Sequence, residues 1–303
     1  MSSYDLGQLE RYFSLISLHD WKTLIGLDAS AFFNQMVKCQ LARITYNTIS
    51  LHYSTDKSGS LQPAVLFDKI VERDRGGYCF ELNVFFLHII RSLGFEAMAV
   101  GCRMRDQKST SHGLDRWRTK SHMAIVVIIH GDRFLVDVGC GIQSPVTPLL
   151  LLSGQTETGL TDQELKVEFK KLAPTAMSNP VWIYSTRHGA DGLWKEIYAF
   201  ADAEFLPSDF YVLNYYTLNA SPFTRIVIVQ RIFFNRASDN NSGSLSLVNN
   251  CIMQSIRGVE EVVATLQSEN ERIEAFKTYF GISLSEEEVA AMEGSAYALP
   301  NAS

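Results

Sequence analysis

The hydrophobic periodicity of the chain changes near residue 95, and this change restricts the fold classes that the chain can adopt. In the first third, apolar residues recur at the three- and four-residue spacing of amphipathic helices, over residues 8–38, 63–72 and 78–93. Beyond it, short runs rich in β-branched residues are typical of strands, over residues 97–103, 122–130 and 133–138. This order predicts an α+β protein with a helical first third and a β-rich middle.

The rest of the chain predicts a mixture of elements. Extended segments are predicted over residues 45–53, 167–169, 182–184, 194–200, 210–214 and 223–234. Acidic amphipathic helices are predicted over residues 258–279 and 284–292. Loops or tight turns are predicted at residues 57–62, 105–120, 131–132 and 237–244.

Composition and charge argue against several classes of partner. The chain has 303 residues, a net charge of -6 and no long block of Lys and Arg, so a nucleic-acid partner is not expected. Its longest apolar runs, 123–129 and 149–152, are far shorter than the roughly 20 residues of a membrane span, so no membrane partner is expected. No apolar stretch follows a basic start, so no secretory signal is predicted and the cytoplasm is the expected location.

Cys79 differs from the other four cysteines in its setting. The five are scattered without a CxxC pair, so reduced thiols are expected rather than disulfides or a zinc site. Cys79 follows Arg75-Gly76-Gly77 at the first turn of a predicted helix. The glycines free the backbone, and a helix N-terminus favours a thiolate and can receive an oxyanion. A buried, inert cysteine is the alternative that the spacing leaves open.

His122 and Asp137 lie on one predicted hairpin. His122 opens the first strand and Asp137 ends the return strand, so the two side chains are expected within diagonal cross-strand reach. A carboxylate held against one imidazole nitrogen would fix the tautomer and leave the other nitrogen for a thiol. Polar residues that merely end two strands are the alternative. With Cys79, the pair favours a Cys-His-Asp triad that acts through a covalent acyl-enzyme.

Three motifs resemble the arylamine N-acetyltransferase family, in the family's order and with its separations. They are RGGYC (75–79), SHMAIVV (121–127) and DVGCG (137–141). Other segments are also similar to the family, among them LERYF (9–13), ISLHYS (49–54) and the C-terminal residues 260–284. The resemblance therefore extends over nearly the whole chain.

The resemblance implies a fold and a reaction. The fold is an α+β multidomain protein with a cysteine-protease-like Cys-His-Asp core: a helical bundle over residues 1–95, a β-barrel over 96–205 and an α/β lid over 206–303. In the implied ping-pong reaction, acyl-CoA acylates Cys79, CoA leaves, and an arylamine, arylhydroxylamine or hydrazine takes the acyl group. Acetyl-CoA or another acyl-CoA is then a co-substrate, and no permanently bound cofactor or metal is expected.

The resemblance also implies site residues beyond the triad. The residues expected to contact CoA are Arg118, Thr119, Lys120, Ser121 and Tyr216. Those expected in the substrate pocket are Tyr46, Cys140 and Phe223. Three residues match positions that are expected to brace the active-site helix, namely Arg75, Glu81 and Asn83.

Departures from the family pattern suggest a donor larger than acetyl. Cys140 stands where the family commonly has Phe, which predicts extra room beside the thioester. Arg118 and Lys120 replace neutral residues, and their charges can pair with CoA phosphates or with a malonyl carboxylate. Malonyl-CoA and propionyl-CoA are therefore candidate donors. An amide synthase, a thiol hydrolase and a catalytically silent binding protein remain the alternative functions.

Overall fold

The structure is a computed structural model that describes residues 4–55, 59–106, 117–172, 179–235 and 242–300. Its helices are α1 (Leu6–Leu15), α2 (Trp21–Leu27), α3 (Ala29–Arg43), α4 (Ile49–His52), α5 (Pro63–Phe67), α6 (Cys79–Ser92), α7 (Pro207–Asn219), α8 (Glu269–Phe280) and α9 (Glu286–Ala290). A π-helical turn (Asp68–Glu72) and two 3₁₀ turns (Gly141–Gln143 and Pro222–Arg225) also occur. Within the described ranges, no helix combines the length and the apolarity that crossing a membrane requires.

The strands belong to two sheets. They are β1 (Tyr46–Asn47), β2 (Ala97–Arg105), β3 (Trp117–Ile129), β4 (Asp132–Val136), β5 (Leu149–Leu150), β6 (Thr156–Thr158), β7 (Gln163–Lys170), β8 (Val181–His188), β9 (Lys195–Phe200), β10 (Ile228–Phe233), β11 (Gly243–Val248), β12 (Cys251–Ile256) and β13 (Val259–Thr265). The helical first third, the sheet-rich middle and the mixed C-terminal region confirm the predicted α+β fold class.

The first third is helical because its helices are capped and bury an apolar face. Asp28 caps α3 by accepting the amides of Ser30 and Ala31. The phenylalanines of α6 are fully buried, so this helix lies inside the bundle. The chain leaves α6 at Gly94, whose φ of 89° suits a glycine after a helix end. The predicted helices of this region are confirmed.

An eight-stranded antiparallel sheet with the order β5-β4-β3-β2-β9-β8-β7-β6 forms the middle of the chain. It curls into a nearly closed barrel, in which the Gly154 amide after β5 donates to the Val167 carbonyl of β7 at 2.9 Å. β3 lies between β2 and β4 and is buried over residues 122–127. The β3–β4 turn uses His130 and Gly131, both with positive φ, one residue earlier than predicted.

A five-stranded antiparallel sheet with the order β1-β10-β11-β12-β13 occupies the C-terminal region. Its edge strand β1 comes from the first third of the chain, and Tyr46 pairs with Gln230 of β10. Tyr46 also forms a bridge with Gly77, two residues before Cys79. The edge of this sheet therefore contacts the segment that leads into α6.

The predicted secondary structure is wrong for two segments. Residues 210–214, predicted to be extended, belong to α7, which begins at Pro207 and whose buried residues recur at helical spacing. Residues 259–265, predicted to be helical, form β13. A tight turn at Arg257 and Gly258, both with positive φ, folds this segment back onto β12 as a hairpin.

Smaller differences concern loops and extended segments. Of residues 45–53, predicted to be extended, two form β1 and four form α4. Of the predicted loop 105–120, residues 117–120 belong to β3 and residues 107–116 lie outside the described part. The predicted loops 57–62 and 237–244 also fall partly on residues outside it.

Candidate active site

Cys79 is the first residue of α6, and the backbone before it is extended at Tyr78. Gly76 has a φ of +60°, and a Cβ there would collide with the Thr45 carbonyl oxygen, so only glycine fits this approach. Cys79 is 3% exposed, and its Sγ lies 3.8 Å from the Ser121 carbonyl oxygen on β3. The helix start and the loop before it thus place the sulfur against β3.

A buried ion pair joins β3 to the loop after β4. His122 Nε2 lies 2.7 Å from Asp137 Oδ2, and both side chains are buried. The other carboxylate oxygen accepts hydrogen bonds from Asn83 Nδ2 at 2.9 Å and from the Gly139 amide at 2.8 Å. With Nε2 bonded to the carboxylate, Nδ1 is the nitrogen of His122 that remains for Cys79.

Asn83 connects the active-site helix to the hairpin. Its Nδ2 donates to the Met123 carbonyl at 2.7 Å as well as to Asp137, and its Oδ1 accepts the Val138 amide at 3.1 Å. One side chain of α6 therefore bonds to both strands of the hairpin. These contacts agree with the predicted bracing role of Asn83.

The environment of His122 favours its protonated form. Burial lowers its pKa, but the charge of the Asp137 carboxylate, the hydrogen bond to it and a hydrogen bond with Cys79 outweigh burial and raise the pKa to about 10. A protonated imidazole beside a cysteine sulfur is an arrangement typical of thiol nucleophiles. The arrangement has the geometry and the charge that nucleophilic thiol chemistry requires.

Cys140 is a second thiol at the site, with different chemistry. Its Sγ and ligand atoms of His122 and Asp137 lie within 4.8 Å of one another, a grouping that also has the donor atoms of a metal site. Burial and the negative charges of Asp137 and Cys79 raise the pKa of Cys140 well above its usual value. A thiol kept neutral in this way is a poor nucleophile and a poor metal ligand, because both roles need the thiolate.

The glycines of DVGCG (137–141) allow the loop after β4 to pack closely. A Cβ on Gly139 would lie 2.9 Å from Cys79 Cα, and a Cβ on Gly141, whose φ is +61°, would collide with the Gln230 side chain. A larger residue at position 139 would push this loop away from α6 and would move Asp137 with it. Close packing therefore explains why the motif needs glycine at these two positions.

A cavity of about 350 Å³ opens over Cys79 and His122. Its walls come from β2, β3, the loop after β4, the end of α7 and β10. Six of the eight residues predicted for CoA or substrate contacts line it: Tyr46, Arg118, Ser121, Cys140, Tyr216 and Phe223. Asp137 lies behind His122 rather than in the lining. The volume falls in the range of small-molecule sites.

Thr119 and Lys120, the other two residues predicted to contact CoA, do not line this cavity, and their contact with CoA stays a prediction. The Lys120 ammonium lies 4.2 Å from the centroid of the Phe205 ring. The register between β2 and β3 shifts on both sides of Lys120, and each bulge inserts an extra residue that reverses the face taken by the next side chains. Arg118 and Ser121 consequently face the cavity while Lys120 faces Phe205.

Sequence reasoning missed several residues at the site. Those that line the cavity include Met104, Arg105, Asp106 and Gln230. Another is Tyr198, whose ring centroid lies 5.1 Å from that of His122. The sequence did contain a usable signal for Arg105. The alternation of side chains typical of a strand continues beyond residue 103, and β2 runs two residues further than predicted. No signal in the sequence indicates Gln230, which reaches the site from the other sheet.

The other two residues predicted to brace the helix have charged partners. Lys69 Nζ lies 2.6 Å from Glu81, whose second oxygen accepts the Tyr78 amide at 3.2 Å. Arg75 pairs with Glu288 of α9 and also donates to the Ser283 carbonyl just before that helix. These ion pairs hold both sides of the segment that presents Cys79.

Comparison with known proteins places this site in a family. The model of the N-acetyltransferase family matches residues 31–289. The N-malonyltransferase FDB2 of Fusarium pseudograminearum is 31% identical, over 81% of this chain and 76% of that protein. The structure of the arylamine N-acetyltransferase from Mycobacterium abscessus superposes with a TM-score of 0.79 at 21% identity, over 94% of this chain and 93% of that one.

A second solved structure contains CoA. It is the arylamine N-acetyltransferase of Mycobacterium marinum in complex with CoA, with a TM-score of 0.74 and 18% identity, over 94% of this chain and 98% of that one. At this identity the likeness shows the shared fold. The family match covers most of the chain, and the FDB2 relative is similar over a comparable length. The chain therefore belongs to the arylamine N-acetyltransferase family and is an N-acyltransferase.

Proposed function

We propose that the protein is an acyl-CoA-dependent N-acyltransferase that works by a ping-pong mechanism through a thioester on Cys79. The acceptor is an arylamine, an arylhydroxylamine or a hydrazine, and the expected location stays the cytoplasm. The observation that carries the proposal is the buried His122–Asp137 pair, whose histidine lines one cavity together with Cys79. Each member of the proposed triad has a distinct physical role there.

In the first half-reaction, the Cys79 thiolate attacks the carbonyl carbon of the acyl-CoA thioester. A new bond forms between Cys79 sulfur and the acyl carbon, and the bond between that carbon and the CoA sulfur breaks. The CoA thiolate leaves and takes a proton from His122. Amides at the start of α6 can stabilise the developing oxyanion, since Cys79 is the first helical residue.

In the second half-reaction, the nitrogen of the acceptor attacks the acyl carbon on Cys79. The bond to Cys79 sulfur breaks, and the leaving thiolate is stabilised again by the imidazole. His122 Nδ1 takes the proton that the nitrogen loses, while Asp137 holds Nε2 and stabilises the imidazolium. The enzyme returns to its starting charge state, and the acyl group is now in an amide.

The acyl donor is proposed to include malonyl-CoA as well as acetyl-CoA. The relative that is similar over most of the chain is named an N-malonyltransferase. A family structure binds CoA, which supports an acyl-CoA as co-substrate rather than a carrier-bound acyl chain. Cys140 lines the cavity next to the proposed nucleophile and offers the space that a longer acyl group needs.

Intact mass spectrometry tests the proposal directly. Acetyl-CoA or malonyl-CoA, added without an amine, should increase the mass of the wild type by one acyl group. Cys79→Ala should lose this mass increase and all transfer, whereas Cys140→Ala should still be acylated. Addition of an arylamine should remove the acyl group and form the amide. An acylated Cys79→Ala would move the nucleophile elsewhere, and discharge to water alone would favour a thiol hydrolase.

A further inference from the structure

The outer wall of the active-site cavity is charged. Arg105, Asp106 and Arg118 line it beyond the bulged end of β3. Two of these three lining groups are cations, although the chain carries a net charge of -6, and the Glu196 carboxylate pairs with Arg105 from outside the lining. Guanidinium groups in the wall of a substrate cavity can pair with a substrate that carries a negative charge of its own.

Arg105 is held firmly in this wall. Its side chain is only 15% exposed, and a nitrogen of its guanidinium lies 3.6 Å from a Glu196 carboxylate oxygen on β9. The guanidinium carbon lies 4.9 Å from the centroid of the Trp117 ring on β3. Ring stacking and ion pairing thus orient the planar fork from two neighbouring strands.

The other cations near the site are less suited to bind a substrate carboxylate. Arg118 is 47% exposed and pairs with Asp106 at 3.4 Å, so water screens its charge. Lys120 faces Phe205 outside the cavity. His122 is already bonded to Asp137. Among the described residues, Arg105 and Arg118 are the arginines that line the cavity, and Arg105 is the more buried of the two.

The sheet register places Arg105 at a useful distance from the acyl group. Cys102 pairs with His122, and Arg105 lies three residues further along β2, about 10 Å away. An acyl group on Cys79 begins beside His122. An extended arginine side chain and a three-carbon dicarboxylic acyl group can together span this gap. An acetyl group is shorter and has no carboxylate that could contact the guanidinium.

We propose that Arg105 binds the free carboxylate of a dicarboxylic acyl group of the malonyl class, and that it thereby sets the choice of donor. A guanidinium makes two parallel, charge-assisted hydrogen bonds to a carboxylate. This contact stabilises malonyl donors over neutral donors of the same length. The inference rests on the proposed function, because it requires a thioester on Cys79.

The test compares malonyl-CoA with propionyl-CoA, which is similar in size but has no carboxylate. Arg105→Gln should lower kcat/KM for malonyl-CoA about 10- to 100-fold more than for propionyl-CoA, the range expected for a lost hydrogen bond to a charged group. Arg105→Lys should keep part of the selectivity, because it retains the charge without the fork. Arg133→Gln, at the barrel surface beside Asp202 and outside the cavity lining, is the matched control and should leave the malonyl-to-propionyl ratio unchanged.

The same experiment separates this inference from the proposed function. Propionylation of Cys79 in Arg105→Gln, measured by intact mass, shows that the variant folds and that the thioester chemistry holds; if this variant does not fold, the Arg105→Lys ratio decides. A wild type without malonyl preference, or a ratio that Arg105 variants do not change, would overturn the role of Arg105. No acyl-enzyme in the wild type with any donor would instead overturn the proposed function.

Discussion

The two halves of β3 differ in regularity, burial and charge. Residues 122–127 pair with β2 without interruption, and the strand continues beside β4 to residue 129, with all but one of these positions buried. Residues 117–121 pair with β2 through two register shifts and are exposed or partly exposed. The regular half, residues 122–129, carries His122. The irregular half, residues 117–121, contributes Arg118 and Ser121 to the cavity lining, and we call this end of the cavity its mouth.

This difference indicates that reaction and donor selection depend on different kinds of backbone. A buried, regular strand fixes His122, since any slip would move a whole apolar face out of the core. A bulged strand end redirects single side chains without disturbing the rest of the sheet. We therefore expect substitutions of residues that hold His122 in the regular half to slow transfer of every acyl group alike. Substitutions at the mouth should instead alter which acyl group is preferred.

Asp137→Asn should have the largest effect of the substitutions that test this comparison. We expect kcat/KM to fall about 10³- to 10⁴-fold, because an amide favours the wrong tautomer of His122 and removes the charge that keeps it protonated. The malonyl-to-propionyl ratio should stay constant, since Asp137 lies outside the cavity lining. Steady-state rates with both donors and circular dichroism should be measured together, because the carboxylate is fully buried.

Asp202→Asn is the matched control for that substitution. Asp202 pairs with Arg133 at the barrel surface, away from the cavity, so the variant should behave like the wild type. A folded Asp137→Asn enzyme with a normal rate would remove Asp137 from the mechanism. A changed donor ratio would instead show that the two halves of β3 are not independent.

The pH dependence of stability tests whether His122, in the regular half of β3, is protonated in the folded protein. The pKa of His122 is raised from 6.5 to about 10, so the folded protein binds the imidazole proton more tightly than the unfolded chain does. The stability from this pairing is then fully present below pH 6.5 and is lost as the pH rises towards 10. The difference in free energy of unfolding between the wild type and His122→Gln should shrink across this window.

Urea unfolding at several pH values measures that difference. Both proteins contain the same other titratable groups, so their common pH dependence cancels in the comparison. A difference that stays flat or grows between pH 6.5 and 10 would mean that the folded protein holds a neutral imidazole. The proposed thiolate would then lack its cation.

The close approach of Cys79, His122 and Asp137 was predictable because its signals are local and its geometry follows from regular elements. Cys79 follows a glycine break at a helix start, and His122 and Asp137 lie near the ends of two adjacent strands, so spacing alone brings them close. The direction of the Lys120 side chain could not be predicted, for the opposite reason. Two bulges decide which side chains of residues 117–121 face the cavity, and sequence alternation does not reveal a bulge.

Fold predictions failed where local pattern and tertiary pairing disagree. The acidic, β-branched segment 259–265 has apolar residues at spacings that also fit a helix, but a turn with two positive φ angles commits it to pair with β12. The aromatic segment 210–214 favours a strand by propensity, yet it lies inside a helix that Pro207 begins. In both places, the secondary structure is decided by residues outside the segment, so the pattern within the segment could not predict it.

Cys140→Phe should have the smallest effect, because it changes space and leaves the charges in place. Cys140 lines the cavity and lies next to His122 and Asp137 of the proposed triad. We expect kcat/KM for propionyl-CoA and malonyl-CoA to fall roughly tenfold relative to acetyl-CoA, in line with the cost of about one methylene in a pocket. The ratio between malonyl-CoA and propionyl-CoA should hardly change.

That pattern is what distinguishes a steric effect from a charge effect. Loss of room penalises both longer donors alike, whereas loss of the Arg105 carboxylate contact penalises malonyl alone, so the two variants should move different ratios. Overpacking of a buried site costs about 1–3 kcal/mol, and thermal unfolding should therefore accompany the kinetics. Cys140→Ala is the matched control, since it keeps the space open and should keep the broad donor range. An acetyl preference that is strong in the wild type and unchanged in Cys140→Phe would show that Cys140 does not set donor length, and the limit would then lie at the mouth.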